Sequence, residues 1–292
     1  MGRELVTVRD GRVVDVLLEG PADGATVVFH YGTPAGLTTF PMLREAIERR
    51  GMRLVVCARP GYERSTPLPG RRVADVVTDV ADVLDSLGIG DFVTCGWSGG
   101  GPHALACAAL LGDRCRRTAT IASVAPFDGE GLDWMKGMGP ENIHEFGAAV
   151  AGHDTLTATL AAIAPALAEV TAATLVDAFA GLLPAVDREC LDGRFADFMA
   201  TSTRASVTGP YGIAGWRDDD LAFVRPWGFE PSRCHRVTLW QGSDDLMVPF
   251  THGQWLAAAI ADARAHLLDG DGHLSVAVGR LDQITEELCA RW

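Results

Sequence analysis

The chain has 292 residues, of which 48% are hydrophobic and 22% charged, and its formal net charge is -13. This composition excludes an intrinsically disordered chain and supplies enough apolar side chains for a large core. The acidic balance argues against nucleic-acid binding, which needs a basic stripe on the surface. The densest basic runs, around Arg116 and at Arg71 and Arg72, are too short to form one.

Cysteine usage and the N-terminal sequence bear on the cellular compartment. The seven cysteines are scattered without a CxxC pair or zinc-type spacing, so we expect neither a disulfide framework nor a metal site. The N-terminal residues lack the apolar core of a signal peptide, and no apolar run has transmembrane length. We therefore expect a cytoplasmic protein that does not bind membranes. Its oligomeric state stays open, a homodimer included.

Predicted strands and helices alternate along much of the chain. Residues 5–18 alternate apolar and polar side chains around Asp10 and Gly11, which indicates a hairpin. Further strands, of the kind buried on both faces, are predicted at residues 26–30, 54–58, 92–96, 118–124 and 237–241, and one more strand is predicted at residues 265–268. Helices are predicted at residues 39–50, 73–87, 102–112, 253–263 and 275–289. The alternation predicts an α/β fold with a mixed but mostly parallel eight-stranded sheet flanked by helices.

The alternation stops between residues 128 and 207, where Ala, Leu and Thr dominate with helical periodicity. Helices are predicted there at residues 155–170, 172–183 and 189–204. A helical stretch of this length between two strands fits a cap over the carboxyl edge of the sheet, where open α/β sheets bind ligands. We predict a core of residues 1–127 and 208–292 and an inserted helical cap of residues 128–207.

Ser98 is the candidate nucleophile. It is the centre of a Gly-x-Ser-x-Gly pattern at residues 96–100, which alone is a weak signal in a glycine-rich chain. A buried strand ends at Gly96 and a helix begins near Gly101, so Ser98 lies on a tight strand-to-helix turn. Such a turn strains the serine backbone and aims a helix N-terminus at the reacting centre. In the alternative interpretation, Ser98 merely caps the helix; a phosphate loop is disfavoured because its Lys is missing.

A serine nucleophile needs a histidine base oriented by a carboxylate, and on this type of turn the chain order is Ser, acid, His. Of the eight histidines, His273 fits best, because its glycine-rich loop follows the last predicted strand. The acid should follow the strand at residues 237–241, where Asp244 and Asp245 are adjacent. Consecutive residues point in different directions, so only one of them can meet the histidine. The residues alone leave the two nearly equal.

Together these segments resemble the α/β-hydrolase superfamily over nearly the whole chain. The matching segments are His30-Tyr31-Gly32-Thr33-Pro34, Arg59-Pro60-Gly61-Tyr62-Glu63-Arg64-Ser65, residues 96–100, Gly242-x-x-Asp245-x-x-Val248-Pro249 and Gly272-His273. In the family the acid follows a Gly by three residues and precedes a Val-Pro pair by three, and both spacings select Asp245 over Asp244. The resemblance also implies an oxyanion hole made by the backbone N–H groups of Thr33 and Gly99.

The resemblance further predicts where the substrate pocket lies. The insertion is similar to the caps of proline-iminopeptidase-like, epoxide-hydrolase-like and cofactor-free haloperoxidase-like members. Tyr31 stands where the oxyanion loop usually has Gly, so we expect it to reshape the acyl pocket. Trp97 beside the nucleophile and Trp134 in the cap are the other pocket candidates. Ala58 and Glu63 also depart from the family pattern, in a loop that we expect to lie away from the chemistry.

We therefore expect a serine hydrolase that cleaves an ester-like or amide bond of a small, largely apolar molecule through an acyl-enzyme, without a metal or organic cofactor. Ser at the turn argues against epoxide hydrolase and haloalkane dehalogenase chemistry, which uses Asp there. A carbon–carbon bond hydrolase or tailoring enzyme and a non-catalytic ligand receptor on the same fold stay open. An iminopeptidase-like aminopeptidase would need an acidic cap residue to hold the substrate amine. The candidates are Glu130, Asp133, Glu141 and Glu145.

Overall fold

The computed structural model describes residues 2–290, in which eight strands form one sheet. The strands are β1 (Gly2–Thr7), β2 (Val13–Glu19), β3 (Thr26–His30), β4 (Arg53–Cys57), β5 (Phe92–Trp97), β6 (Cys115–Ile121), β7 (Val237–Gly242) and β8 (Arg264–Leu268). Their spatial order is β1-β2-β4-β3-β5-β6-β7-β8. The hairpin strand β2 is antiparallel to β1 and β4, and the remaining pairs are parallel. The predicted mixed, mostly parallel sheet is confirmed.

The register of the central strands brings their carboxyl ends to one level. Every residue of β3 and β5 is buried, in keeping with their near-continuous apolar sequences. His30 pairs with Gly96, and Trp97 pairs with Ile121. At the other side, Gly242 pairs with the last residue of β8. The loops after β3, β5, β7 and β8, which carry the candidate residues, therefore lie along one edge of the sheet.

The sheet is flanked by helices that alternate with its strands. In chain order the helices are α1 (Pro41–Glu48), α2 (Val76–Ser86), α3 (Gly101–Leu110), α4 (Pro140–Ala151), α5 (His153–Ala168), α6 (Leu175–Ala178), α7 (Ala185–Cys190), α8 (Gly193–Thr208), α9 (Ala214–Phe223), α10 (Phe250–Ala259), α11 (His273–Gly279) and α12 (Leu281–Cys289). The predicted single helix at residues 275–289 was wrong. The segment instead forms two helices, α11 and α12, which are separated at Arg280, where ψ is 1°. The break directly follows Gly279, a poor helix former. Within residues 2–290 no helix combines the length and apolar character needed to cross a bilayer.

The segment between β6 and β7, residues 122–236, is the helical insertion and contains α4–α9. The helices predicted at residues 155–170 and 189–204 correspond to α5 and α8, whereas the one predicted at residues 172–183 shortens to α6. Neither α4 nor α9 was predicted. The sequence of α9 contains three consecutive Asp residues, which usually mark a solvated face, yet all three are buried. The division of the chain into a core and a cap at residues 128 and 207 stays a prediction.

Candidate active site

Ser98 lies on a strained turn between β5 and α3. Its φ of 56° is in the left-handed region, which costs a non-glycine residue on the order of 1–3 kcal/mol. A Cβ atom on Gly96 would lie 2.2 Å from the Gly100 carbonyl oxygen. A Cβ atom on Gly100 would lie 2.0 Å from the His30 carbonyl oxygen. Neighbouring backbone atoms therefore leave no room for a side chain at either glycine of the motif. The turn presents Ser98 at the sheet edge.

The loop after β3 runs directly over this turn. A Cβ atom on Gly32 would lie 3.2 Å from the Ser98 Cβ atom, so the loop backbone touches the serine. A Cβ atom on Gly99 would lie 2.5 Å from the Thr33 Oγ1 atom. The structure thus brings Thr33 and Gly99, the two predicted oxyanion donors, into contact with each other beside Ser98.

His273 opens α11 and meets one of the two candidate carboxylates. Its Nδ1–H group donates to Asp245 Oδ2 over 2.8 Å, and both residues are buried. Asp245 Oδ1 accepts the backbone N–H groups of Met247 and Val248, each over 2.8 Å, which fixes the carboxylate. The side chain of Asp244 is exposed and accepts the Ser243 hydroxyl instead. The structure therefore brings Asp245, and not Asp244, to His273.

The surroundings of His273 adjust its protonation. Burial by itself lowers the pKa of His273, but the Asp245 carboxylate outweighs it, and the net effect raises the pKa above the ordinary 6.5. The carboxylate of Asp187 adds to this rise. The hydrogen bond at Nδ1 also fixes the tautomer of the neutral ring, which leaves Nε2 as the acceptor. A neutral His273 is therefore equipped to take up a proton at Nε2.

Ser98 and His273 line the same cavity, which lies between the sheet edge and the helical insertion and is called the first cavity below. Tyr31 and Trp97 line it as well, and the Trp97 ring centroid lies 5.9 Å from that of His273. Among the contacts of residues 2–290, no direct hydrogen bond joins Ser98 to His273; such bonds often tighten only when substrate is bound. The insertion contributes six apolar side chains to the cavity wall, those of Leu175, Phe179, Leu183, Leu191, Phe198 and Met199.

A second cavity of about 250 Å³ adjoins the first at the serine, and Ser98, Gly99 and Thr33 form part of its wall. Unlike the first cavity it contains acidic side chains, those of Glu141 and Glu145. The two cavities therefore present different chemistry to a group held at Ser98.

Trp134 lies apart from the other predicted pocket residues. It is buried, its indole N–H donates to the Ala125 carbonyl oxygen over 2.7 Å, and its ring packs edge-on against Phe146 and His252. It is not among the residues that line either cavity beside Ser98. Within residues 2–290, no group of three or more His, Cys, Asp or Glu side chains is arranged to hold a metal ion.

Comparison with known proteins assigns the family. A family model described as "alpha/beta hydrolase fold" matches residues 25–279. The chain belongs to this alpha/beta hydrolase family. Solved structures agree: the alpha/beta hydrolase fold protein from Nakamurella multipartita has a TM-score of 0.66 and 25% identity, covering 98% of this chain and 99% of that one. The predicted family and fold are thereby confirmed, and membership supports a hydrolase.

Two curated relatives match part of this alpha/beta hydrolase. Epoxide hydrolase B of Mycobacterium tuberculosis (strain ATCC 25618 / H37Rv) is 30% identical over 132 residues, which are 44% of this chain and 36% of the relative. Non-heme chloroperoxidase of Streptomyces lividans is 29% identical over 150 residues, which are 51% of this chain and 54% of the relative. The chain thus matches only about a third to a half of the length of these relatives.

Two buried carboxylates of the hydrolase, those of Asp187 and Asp219, were not predicted from the sequence. Asp187 in α7 accepts the backbone N–H of His273 over 2.8 Å. Asp219 in α9 forms ion pairs with Arg59 and Arg71, and the side chains of all three are buried. The run of three Asp residues in α9 was a usable signal for Asp219, because such a run within an apolar segment needs buried partners. Nothing in the local sequence distinguishes Asp187 from a surface residue.

The sequence also did not predict that two carboxyl groups of the insertion lie next to each other. Asp220 in α9 is fully buried and faces Glu145 of α4. Burial raises the pKa of Asp220 well above its ordinary range, and the nearby Glu145 raises it further. Burial raises the pKa of Glu145 too, although the Trp216 indole N–H, which donates to it over 2.8 Å, opposes the shift. The two groups therefore hold protons more tightly than exposed carboxylates do.

Proposed function

We propose that the protein is a serine hydrolase that cleaves an ester-like bond of a small, largely apolar molecule through an acyl-enzyme. The observation that carries the proposal is the buried hydrogen bond of 2.8 Å between His273 and Asp245, with His273 and the strained Ser98 on the wall of one cavity. This is the arrangement that lets a neutral serine hydroxyl act as a nucleophile near neutral pH.

The first half of the reaction forms the acyl-enzyme. The Ser98 Oγ atom attacks the substrate carbonyl carbon while His273 Nε2 takes the hydroxyl proton, and Asp245 stabilises the imidazolium that results. The carbonyl oxygen becomes an oxyanion, which accepts hydrogen bonds from the backbone N–H groups of Thr33 and Gly99. When the tetrahedral intermediate collapses, the bond to the leaving alcohol breaks and His273 donates its proton to that oxygen.

The second half returns the enzyme to its starting state. A water molecule attacks the acyl carbon and gives one proton to His273 Nε2, and the same two N–H groups stabilise the second oxyanion. Collapse breaks the ester bond to Ser98, whose oxygen regains the proton from His273, and the carboxylic acid leaves. Pre-positioned donors of this kind need no reorganisation as charge develops, and losing one typically costs about 100- to 1,000-fold in kcat.

The walls of the first cavity support a largely apolar substrate. Six side chains of the insertion that face it are Leu, Phe or Met, and burying apolar surface against such a wall is favourable at roughly 25 cal/mol per Å². Epoxide hydrolase chemistry, suggested by the name of one relative, is not proposed, because the residue at the turn is Ser98 and not an Asp.

An amide substrate with a free amine is the second candidate. The observation that favours it is the second cavity, where Glu141 and Glu145 line the wall that Ser98 also lines. A carboxylate there would pair with a substrate ammonium group, as an iminopeptidase-like aminopeptidase requires. The other two acidic candidates, Glu130 and Asp133, do not line this cavity.

Labelling and turnover together test the proposal. A fluorophosphonate probe should label the wild-type protein, and Ser98→Ala should abolish labelling while leaving the fold intact by circular dichroism. p-Nitrophenyl esters of increasing acyl length, run beside proline p-nitroanilide, then separate the ester from the amine-bearing substrate. A folded wild type that is neither labelled nor active on any of these compounds would favour the ligand receptor, and labelling of Ser98→Ala would exclude Ser98 as the nucleophile.

A further inference from the structure

We infer that two buried aspartates of the helical insertion, Asp219 and Asp187, position the two halves of the active site. Asp219 acts on the oxyanion loop and Asp187 acts on His273. Both aspartates act through other groups, so they are positioning residues. The inference rests on the proposed function, because it assigns the two aspartates a part in that hydrolysis.

Arg59 is the link between Asp219 and the oxyanion loop. Its guanidinium group is buried and donates to the carbonyl oxygens of Tyr31 over 2.7 Å and Gly32 over 2.8 Å. It also donates to the Thr33 hydroxyl oxygen over 2.9 Å. One planar side chain therefore holds three successive residues of the loop.

These bonds fix the direction of a proposed oxyanion donor. The Gly32 carbonyl and the Thr33 N–H belong to the same planar peptide group, in which the two bonds point in opposite directions. With the carbonyl held by Arg59, the Thr33 N–H is turned away from the guanidinium. A loop released from Arg59 can rotate this peptide, and the donor then loses the fixed direction that oxyanion stabilisation needs.

Asp219 in turn holds Arg59 in place. Its carboxylate accepts Arg59 hydrogen bonds of 2.6 to 3.1 Å and the Thr33 hydroxyl over 2.8 Å, so it contacts the loop directly as well. Arg71 donates to it over 2.6 Å from another direction. Burial alone would raise the pKa of Asp219, but the two arginines outweigh burial and hold the pKa well below its usual range. The carboxylate is therefore a permanent buried anion, and Arg59 and the Thr33 hydroxyl bind the loop to it.

Asp187 performs a comparable task at the other half of the site. It is fully buried, and its carboxylate accepts the backbone N–H of His273 over 2.8 Å. It also accepts the N–H groups of Leu274 over 3.0 Å and Ser275 over 2.8 Å. Three charge-assisted bonds thus fix the backbone from which the His273 side chain extends. Because α7 belongs to the insertion, the insertion contributes to the geometry of the base as well as to the pocket wall.

Thr33 offers the mildest test of the Asp219 connection. Thr33→Val removes the hydroxyl that joins the loop to Asp219 and Arg59 while keeping the β-branched shape and the backbone N–H. We expect kcat on a p-nitrophenyl ester to fall roughly 10-fold, with KM within about twofold of wild type, since only the oxyanion donor is disturbed. Thr33→Ser keeps the hydroxyl and should restore kcat. A folded Thr33→Val protein with wild-type kcat would overturn this half of the inference.

Asp219→Asn tests the ion pair itself and needs a control for lost stability. Removing one partner of a buried ion pair is strongly destabilising, so a lower Tm is expected for any such variant. Asp79→Asn is the matched control, because Asp79 is equally buried and pairs with Arg12. We expect both variants to lower Tm, but only Asp219→Asn to lower kcat, by about 100-fold. Equal kcat values in the two folded variants would show that Asp219 is purely structural.

Asp187→Asn is tested by a readout that does not depend on turnover. The charged groups facing His273 are Asp245 and Asp187, so removing the Asp187 charge should lower the pKa of His273, measured by NMR titration of its ring. The same variant should lower kcat about 10-fold and move the acidic limb of the kcat/KM profile to lower pH. Asp192→Asn, an exposed acid of the same segment, should change none of these. An unchanged His273 pKa with unchanged kcat would overturn this half.

The outcomes separate the inference from the proposed function. If fluorophosphonate labels the wild type and the Thr33, Asp219 and Asp187 variants all match it, the inference fails and the proposed function stands. If the folded wild type is neither labelled nor active, the proposed function fails, and the inference fails with it. Labelling of the wild type with selective loss of kcat in the variants supports both.

Discussion

At the residue scale, the site depends on which of two adjacent carboxylates meets the histidine. Sequence spacing within the family pattern predicted Asp245, and the structure shows why the two differ. Asp245 is buried with four hydrogen-bond donors around it, whereas Asp244 is exposed. A carboxylate with that many partners is fixed in place, which a base-orienting residue requires.

Exchange of each aspartate for asparagine tests this difference. Asp245→Asn should lower kcat on the order of 1,000- to 10,000-fold, because an amide no longer holds the proper tautomer of His273 or stabilises the imidazolium. Asp244→Asn is the matched control and should retain the wild-type rate. Steady-state kinetics on one p-nitrophenyl ester measures both. A comparable loss in both variants would contradict the assignment of the acid.

At the element scale, the turn that carries Ser98 depends on glycines for space. Gly100→Ala would bring a Cβ atom within 2.0 Å of the His30 carbonyl oxygen, and backbone atoms cannot yield as a flexible side chain can. We expect a loss of about 1–3 kcal/mol in unfolding free energy from this overpacking. Urea titration followed by fluorescence gives the value.

Gly147 in α4 is the control for the same substitution. It is exposed in a helix, and an added Cβ atom would have open space around it. Because alanine is the better helix former, Gly147→Ala should raise the unfolding free energy by about 0.5–1 kcal/mol. If the two substitutions changed stability in the same direction, steric crowding at the turn would not be the explanation.

The elements also show where sequence patterns suffice and where they fail. The buried strands were found within a few residues because short apolar runs bounded by turns have few other interpretations. Helix α9 was not predicted because its three consecutive acids interrupt the apolar pattern of its sequence. Only the tertiary structure shows that Arg59 and Arg71 stabilise one of these acids. Asp187 could not be found at all, since its partners are backbone N–H groups 86 to 88 residues away. Contacts of that kind leave no trace in local periodicity.

At the scale of the whole molecule, the insertion joins the sheet through buried charge as well as apolar packing. Within that arrangement, the Glu145–Asp220 pair lowers the stability of the native state at neutral pH. A group whose folded-state pKa is raised above its unfolded value stabilises the fold at pH values below the unfolded pKa, about 3.9 for Asp. That contribution is lost as pH rises toward the folded pKa. The raised pKa of Asp220 therefore makes the native state less stable at neutral pH than at mildly acidic pH.

Asp220→Asn should remove this dependence, because the amide is neutral at every pH. We expect its Tm to exceed that of the wild type by a few °C at pH 7 to 8, and the difference to shrink toward pH 4. Differential scanning calorimetry across that range measures the effect. Asp82→Asn should change Tm with the opposite pH dependence. The hydrogen bonds from Arg9 lower the pKa of Asp82, so the stabilisation that its carboxylate provides is present at neutral pH and lost on acidification. Tm differences that do not vary with pH in either variant would show that the two carboxyl groups titrate alike in the folded and unfolded chain.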